Sequence, residues 1–283
     1  MKFARLRRVG FGICLAGLVF GLLAPARATG LYPWPRSETA ATMLRDAINP
    51  PSGFERTEAA PGSFAAWLRG LPVKPGGRPV LLFNGAVKAR QDVHAAIIDM
   101  DVGRRDLQQC ADAVMRLRAE WLYASGRQTE IAFNFTSGGR VPFTRFANGE
   151  RPDAAGRKWR STAKANASYP AFRKYMDLVY AYAGTASLEK ELKPVATVGD
   201  VQSGDVFIKG GFPGHAVIVA DVAVNALTKA KRVLLIQSYM PAQDLHVLKN
   251  PANGDGGPWY ALSDGELVTP EWTFAAGSLR RWP

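Results

Sequence analysis

Apolar residues recur at helical spacing in two long stretches of the chain. The stretch "DLQQCADAVMRLRAEWLY" predicts a helix from Asp106 to about Tyr123, with Asp106 as its N-cap. A second stretch, "YPAFRKYMDLVYAYAG", predicts a helix that ends near Gly184. The apolar face of the first helix is formed by residues three and four positions apart, namely Leu107, Cys110, Val114, Leu117 and Trp121.

Shorter apolar runs predict β-strands, most of them in the C-terminal part of the chain. "RPVLLF" and "VHAAIIDM" precede the first helix, and "TEIAFNF" and "VPFTRFA" follow it around a Ser-Gly-Gly turn. Residues 148–168 are polar and predict a long irregular loop. Six more runs follow the second helix: "GDVFI", "HAVIVADV", "RVLLIQSY", "DLHVLK", "PWYAL" and "EWTFAAGSLRRW". Helices mostly first and a mainly antiparallel sheet afterwards indicate an α+β fold.

The first 28 residues have the pattern of a secretory signal. The basic start "MKFARLRR" precedes an apolar run from Val9 to Ala24, and Ala26-Arg27-Ala28 places small residues at the two positions that a signal peptidase reads. We therefore expect a signal peptide over 1–28, cleaved near Ala28, and one α+β domain over 29–283 in the periplasm or outside the cell. An uncleaved membrane anchor is the alternative. No later apolar run reaches the length of about 20 residues that a transmembrane helix needs.

The chain is basic, with a formal net charge of +12. Residues 1–28 hold five basic residues and no acidic one, so the charge of the remainder is +7. The Lys and Arg residues are dispersed and no zinc-finger spacing occurs, which argues against nucleic acid as a partner. A mildly basic surface suits an anionic cell-wall or envelope polymer, although a solvated surface without such a partner remains open.

Cysteine usage gives the first chemical signal. Cys14 belongs to the expected signal peptide, so Cys110 is the only thiol afterwards and no intramolecular disulfide can form. A free cysteine on an apolar helix face can be a small core residue. Near a helix start, however, unpaired N–H groups and the helix dipole favour a thiolate with a depressed pKa. The Cys110 backbone N–H and the side-chain amide of Gln108 or Gln109, of which we favour Gln109, could also bind an oxyanion.

A nucleophilic thiol requires a base and a group that orients the base. His215 follows the "GGFPG" loop and opens the predicted strand "HAVIVADV". If that strand pairs antiparallel with "RVLLIQSY", opposed residue numbers sum to about 452–454, which places Gln237, Ser238 or Tyr239 across from His215. Gln237 is preferred because its side-chain oxygen can accept from an imidazole N–H, and Ser238 is the fallback. The sequence thus indicates a Cys110–His215–Gln237 site. The alternative is structural: His215 could be bonded to the backbone, and Gln237 could simply end a buried strand.

Other polar and aromatic residues allow a different reading. Carboxylates and imidazoles can hold a metal ion, although His94 and Asp99 lie on opposite faces of one strand. Asp205, which follows a glycine, indicates a turn or strand start. The metal candidates are His94, Asp99, Asp101 and Asp106, with His215 or His246 as a further ligand. The aromatic residues that could line a groove, or simply pack, are Trp159, Tyr239 and Trp259.

The segment "VQSGDVFIKGGFPGHAVIVADV" resembles the core signature of NlpC-type cysteine peptidases of the papain-like group. The chain order matches that group, with a helix-borne Cys110, then Gly204-Asp205, His215 and Gln237. Over its length the sequence resembles an uncharacterised bacterial family, domain of unknown function 4846, through "LQQCADAVMRLRAEWLY", "YAGTASLEKEL", "GDVFIKGGFPGHAVIV" and "QSYMPAQDLHVLKNP".

The NlpC-type resemblance implies a papain-like core in which the helix that bears the cysteine packs on a mainly antiparallel sheet. It implies a cysteine hydrolase without cofactor or metal, acting on an amide bond of an envelope polymer such as peptidoglycan. The 4846 family brings no established activity. Two alternatives stay open: a non-catalytic envelope protein that binds or scaffolds, and a metal-dependent hydrolase.

We expect the protein purified from its native envelope to begin near Thr29, because the basic start, apolar run and Ala-Arg-Ala site together direct signal-peptide cleavage. N-terminal sequencing checks this. An intact Met1 start would contradict it and favour the uncleaved anchor.

Overall fold

The computed structural model of the protein describes residues 1, 30–36, 42–254 and 256–283. The expected signal peptide therefore lies almost entirely outside the described residues. The helices are α1 Leu44–Ala47, α2 Phe64–Arg69, α3 Cys110–Ala124, α4 Phe143–Ala147, α5 Tyr169–Tyr182 and α6 Thr185–Glu191, with 3₁₀ turns at Gln128–Glu130 and Val198–Asp200. In the described part of the chain, no helix is long and apolar enough to cross a membrane.

The strands are short apart from those at the centre of the main sheet. Nine of them precede α6 or follow it directly: β1 Thr42–Met43, β2 Glu55–Arg56, β3 Pro72–Val73, β4 His94–Ile97, β5 Ala132–Asn134, β6 Arg140–Pro142, β7 Glu150–Pro152, β8 Trp159–Ser161 and β9 Lys193–Pro194. The rest are β10 Val206–Lys209, β11 His215–Val224, β12 Lys231–Gln237, β13 His246–Leu248, β14 Trp259–Ala261, β15 Leu267–Val268, β16 Thr273–Phe274 and β17 Leu279–Arg281.

The main sheet has nine strands in the order β4-β13-β12-β11-β10-β17-β9, with β14 on β12 and β2 on β11. Its pairings are antiparallel, and so are those of the four small two-stranded sheets. The mixed fold with a mainly antiparallel sheet is therefore confirmed. The C-terminal third supplies most of the sheet because its apolar runs are the length of strands and are separated by turns.

The central strand β11 is buried on both faces, which explains its nearly continuous apolar sequence. Alternate side chains enter two different cores because successive residues of a strand point to opposite faces. Ala216 and Ile218 belong to the larger core, which also contains much of α3 and α5. Val217 and Val219 belong to a smaller core closed by the β15–β16 hairpin.

Helix α3 packs against β11 and β12 and is covered by α5 on its outer side. It is therefore buried nearly all round, beyond the single apolar face expected from the sequence. The charge of its fully buried Arg116 is balanced by two carboxylates. Arg116 pairs with Glu120 of the same helix at 3.2 Å and with Asp101, which precedes the helix, at 2.7 Å. A buried charge is retained only with such partners.

Four expected elements differ in the structure, besides the start of the first long helix. The run "EWTFAAGSLRRW" is divided between β16 and β17. The run "RPVLLF" makes only isolated bridges, Leu81 with Val87 and Leu82 with Gln243. The stretch "VPFTRFA" is divided between β6 and the helix α4, because the chain turns after Pro142 to bury Phe143 and Phe146. The polar region 148–168, expected to be irregular, contains the β7–β8 hairpin.

A β-bulge in β11 between Val219 and Asp221 anchors the N-terminal segments to the sheet. The buried Asp221 carboxylate accepts from Arg56 at 2.7 Å and from Arg69 at 2.5 Å. These bonds join β2 and α2 to the central strand. Removal of this one carboxylate therefore leaves two guanidinium groups without their anion.

We expect Asp221→Ala to lower the free energy of unfolding by about 3–5 kcal/mol, the usual effect of removing one partner of a buried ion pair. Urea denaturation measures the change. Asp92→Ala is the control, because Asp92 pairs with Arg90 at an exposed position and should leave the midpoint almost unchanged. Equal midpoints for the two variants would contradict the anchoring role.

Candidate active site

Helix α3 begins at Cys110 itself. Its N-cap is Gln109, whose backbone N–H donates to the Asp112 carboxylate at 3.1 Å. The predicted start at Asp106 is wrong, because that carboxylate instead accepts from the Ala242 N–H at 2.7 Å and from the Gln109 side-chain amide at 2.9 Å. Cys110 is thus the first helical residue, among backbone N–H groups that have no intrahelical partner.

The Cys110 sulfur lies against the start of β11. The backbone N–H groups of Ala111 and Ala216 are near enough to the sulfur to lower the pKa of the thiol. Ala216 directly follows His215, the first residue of β11. The packing of α3 on β11 therefore brings the thiol to the strand end that carries the imidazole.

His215 is 1% exposed and contacts Gln237, as expected. Its Nε2 lies 2.9 Å from Gln237 Oε1. Ile218 pairs with Ile236 and Val219 with Leu235; their residue numbers sum to the upper end of the expected range. Continued to His215, this register places Tyr239 opposite it, with Gln237 two positions away on the same face of the sheet. The inferred contact therefore forms diagonally between the strands, and the catalytic roles of both residues remain a prediction.

Three aromatic side chains surround the His215 ring. The ring centroids of Tyr239, Trp272 and Phe274 lie 4.9, 5.4 and 5.8 Å from that of His215. Burial among these rings lowers the pKa of His215 to about 4, against the opposing effect of its hydrogen bond to Gln237. The imidazole is consequently neutral at pH 7 and able to accept a proton.

The side-chain amide of Gln237 is itself held by two further side chains. Its Nε2 lies 2.7 Å from Glu271 Oε2 and 3.2 Å from His246 Nε2. Glu271 Oε1 pairs with Lys88 at 2.7 Å, and both side chains are buried. His246 Nδ1 lies 2.9 Å from the Asp244 carbonyl oxygen. Burial lowers the pKa of His246 to about 3.

The thiol does not have the depressed pKa that its helix position suggests. Burial raises the pKa of Cys110 to about 11, and the negative charge of Asp112 adds to this rise. The helix-start N–H groups act in the opposite direction but are outweighed. The expectation of a resting thiolate is therefore wrong: at neutral pH the site holds a thiol beside a neutral imidazole.

The thiol opens onto a groove of about 260 Å³. Gln109, Phe212 and Met240 share this groove with Cys110. Phe212 is 95% exposed and Met240 is 52% exposed, so two large apolar side chains extend into solvent at its rim. Nε2 of Gln109 donates one hydrogen to Asp106, and an amide nitrogen carries two. Its second hydrogen is the group that could meet an oxyanion.

The other residues singled out in the sequence have structural contacts. The Ser238 hydroxyl donates to the Gln243 carbonyl at 2.9 Å. The Asp205 carboxylate accepts from the Gln202 backbone N–H at 2.8 Å, as expected for a residue that fixes a turn before a strand, and also from Arg281 at 2.7 Å. Trp159, in the β7–β8 hairpin, stacks on Arg145 of α4. The buried Trp259 donates to the Asn49 carbonyl. Of the three aromatic residues considered for the groove, only Tyr239 packs on His215.

The residues considered as metal ligands are not grouped. Asp101 pairs with Arg116 and Arg173, while His94 meets His246 edge-on with ring centroids 6.2 Å apart. Within the described ranges, no three His, Cys, Asp or Glu side chains lie close enough to hold a metal ion.

Glu271 and Lys88 were not found by sequence reasoning. They are 183 residues apart; Lys88 lies in the loop after "RPVLLF", and Glu271 is the first residue of the last predicted strand. Neither has a motif or periodicity that would connect it with His215. Trp272 and Phe274 gave a weaker signal, as apolar members of the last predicted strand.

Comparison with known protein families gives a match over most of the chain. The sequence profile of the family described as "Domain of unknown function (4846)" matches residues 44–281. No curated protein and no solved structure matches the chain significantly.

Because only the thiolate reacts, we expect carboxamidomethylation of Cys110 by iodoacetamide to accelerate about tenfold per pH unit from pH 7 to pH 10 without a plateau. The physical reason is the raised pKa of Cys110, about 11. Mass spectrometry measures the rate, and the urea-unfolded protein, which should level off near the pKa of a free thiol of about 8.5, is the control. A plateau below pH 8 in the folded protein would contradict this and restore the helix-start expectation.

Proposed function

The chain belongs to the family described as domain of unknown function 4846, and from the geometry of its site we propose that it is an exported cysteine hydrolase with a papain-like core. One observation carries the proposal. A buried imidazole at the start of β11 is held through Nε2 by Gln237 at 2.9 Å, while the sulfur at the start of α3 lies against the next residue of that strand. Such an arrangement suits a thiol, a base and an orienting group.

In the proposed reaction, His215 Nδ1 accepts the thiol proton as the Cys110 sulfur attacks the carbonyl carbon of an amide. The Cys110 backbone N–H and the Gln109 amide stabilise the resulting oxyanion. The His215 imidazolium then donates its proton to the leaving nitrogen as the C–N bond breaks, which leaves a thioester. His215 next deprotonates a water molecule that attacks the thioester, releasing the carboxylic acid and restoring the thiol.

The neutral resting state determines how such a site must work. Burial disfavours both the Cys110 thiolate and the His215 imidazolium, so the two charges arise together, only when substrate is attacked. Their mutual attraction and the Gln237 oxygen then stabilise the pair. Among the described residues, no hydrogen bond joins the thiol to the His215 ring, and such contacts commonly tighten only when substrate binds.

The substrate in this proposal is an amide bond of an envelope polymer such as peptidoglycan. The expected signal peptide and the charge of +7 on residues 29–283 favour an exported protein with an anionic partner. The exposed Phe212 and Met240 at the rim provide apolar contact for groups beside the scissile bond. The expected compartment and the resemblance to NlpC-type enzymes support the choice of this polymer, and the groove beside Cys110 supports the position of the scissile bond.

A non-catalytic envelope-binding protein is the second candidate. The raised pKa of Cys110, about 11, favours it, because an unreactive thiol suffices for packing. The two functions differ in what happens to a bound polymer. A binding protein retains the polymer intact, whereas a hydrolase releases fragments with new amino and carboxyl groups.

We expect Cys110→Ala and His215→Ala each to lower cleavage of isolated peptidoglycan by about 10³-fold or more, with the double variant little worse, because residues of one catalytic unit are strongly non-additive. Chromatography and mass spectrometry of released fragments provide the measurement. Glu130→Gln is the control, since Glu130 pairs with Arg127 at an exposed position beyond the C-terminal end of α3. If the parent releases nothing and both single variants melt well below it, Cys110 and His215 are packing residues and the hydrolase proposal fails.

A further inference from the structure

We propose that Glu271 is a positioning residue that fixes the tautomer of His215 through the side-chain amide of Gln237. The inference rests on the proposed function for its consequence in catalysis, but the tautomer itself is a property of the folded protein. Glu271 lies between β15 and β16, 34 residues after Gln237.

Both oxygens of the Glu271 carboxylate are engaged. Oε1 accepts from Lys88 at 2.7 Å, and Oε2 lies 2.7 Å from the terminal amide of Gln237. The side chains of Lys88 and Glu271 are 7% and 8% exposed. An ionised carboxylate can only accept hydrogen bonds. The group of Gln237 that faces Glu271 must therefore be its NH₂, which leaves its oxygen to face His215.

This orientation determines where His215 carries its proton. The Gln237 oxygen lies 2.9 Å from His215 Nε2, and an amide oxygen only accepts. Nε2 must therefore be protonated. In the neutral ring, Nδ1 then carries the lone pair and can take the proton of the thiol.

His246 provides an independent check on the direction of the network. The second hydrogen of the Gln237 NH₂ is directed to His246 Nε2 at 3.2 Å, so that nitrogen must be unprotonated. Nδ1 of His246 then carries the proton, and it lies 2.9 Å from the Asp244 carbonyl oxygen, which requires a donor. Reversal of Gln237 would place an oxygen 2.7 Å from the Glu271 carboxylate and leave His246 Nε2 without a donor.

Lys88 makes the role of Glu271 specific to its charge. An ammonium group only donates. In Glu271→Gln, the Lys88 ammonium would therefore donate to the oxygen of the new side-chain amide, and the NH₂ of that amide would face Gln237. Gln237 would then have to present its oxygen there and its NH₂ to His215. That arrangement requires His215 to carry its proton on Nδ1, where it cannot accept the proton of Cys110.

The tautomers can be read from ¹⁵N chemical shifts of the imidazole nitrogens in uniformly labelled protein at pH 7. In the parent we expect His215 protonated on Nε2 and His246 on Nδ1. In Glu271→Gln, His215 should shift wholly or in part to the Nδ1-protonated form. Turnover should fall by up to about 10⁴-fold with KM little changed, because a wrong tautomer removes the base and leaves substrate binding intact.

Two further variants separate positioning from a general effect on packing. Adding Lys88→Met to Glu271→Gln removes the donor that forces the reversal, so the parent tautomer should return. Glu266→Gln makes the same change at an exposed position just before β15 and should alter neither tautomer nor turnover.

The His215 tautomer and the rate of amide cleavage test the positioning role and the hydrolase proposal separately. A parent protein with His215 protonated on Nδ1 would overturn the proposal, whether or not any variant folds. An unchanged His215 tautomer in Glu271→Gln would overturn it as well. If the tautomer shifts as expected but no amide cleavage is detected in the parent, positioning stands and the hydrolase proposal fails. If His215→Ala abolishes cleavage while Glu271→Gln changes neither tautomer nor turnover, the hydrolase stands and the positioning role fails.

Discussion

The antiparallel pairing of β11 with β12 is the constraint on which the rest of the structure depends. Its register places Gln237 on the same face of the sheet as His215, where the two side chains meet diagonally at 2.9 Å. A slip of one residue would turn every side chain of the strand to the opposite face. The same strand separates the two cores and receives the helix that carries Cys110. The buried faces of the sheet therefore protect the geometry of the site, because slippage would expose apolar side chains to water.

Burial is the second determinant of the chemistry. Desolvation raises the pKa of Cys110 to about 11 and lowers that of His215 to about 4, so it favours the neutral form of each group. The position of Cys110 at the start of α3 opposes this effect but does not overcome it. The physical reason is that a few N–H dipoles offset only part of the hydration that an anion loses.

A buried polar network behind the site compensates for some of this desolvation. The Gln237 side chain forms hydrogen bonds with the side chains of both His215 and Glu271, so the orientation of one amide connects the imidazole to the Lys88–Glu271 ion pair. Buried ion pairs contribute uncertainly to stability. Here the donor-only ammonium and acceptor-only carboxylate give the network a direction, which an apolar replacement of equal volume could not provide.

The sequence by itself determined the mainly antiparallel sheet, the two long helices near their observed positions, and the contact between His215 and Gln237. Periodicity and strand parity are local, so residue spacing contains them. The tertiary structure decided the start of α3 at Cys110, because Asp106 is used by the distant Ala242 N–H. It also decided the high pKa of the thiol and the participation of Lys88 and Glu271. These properties depend on which remote segments exclude water from a group or meet beside it, and no spacing along the chain encodes that.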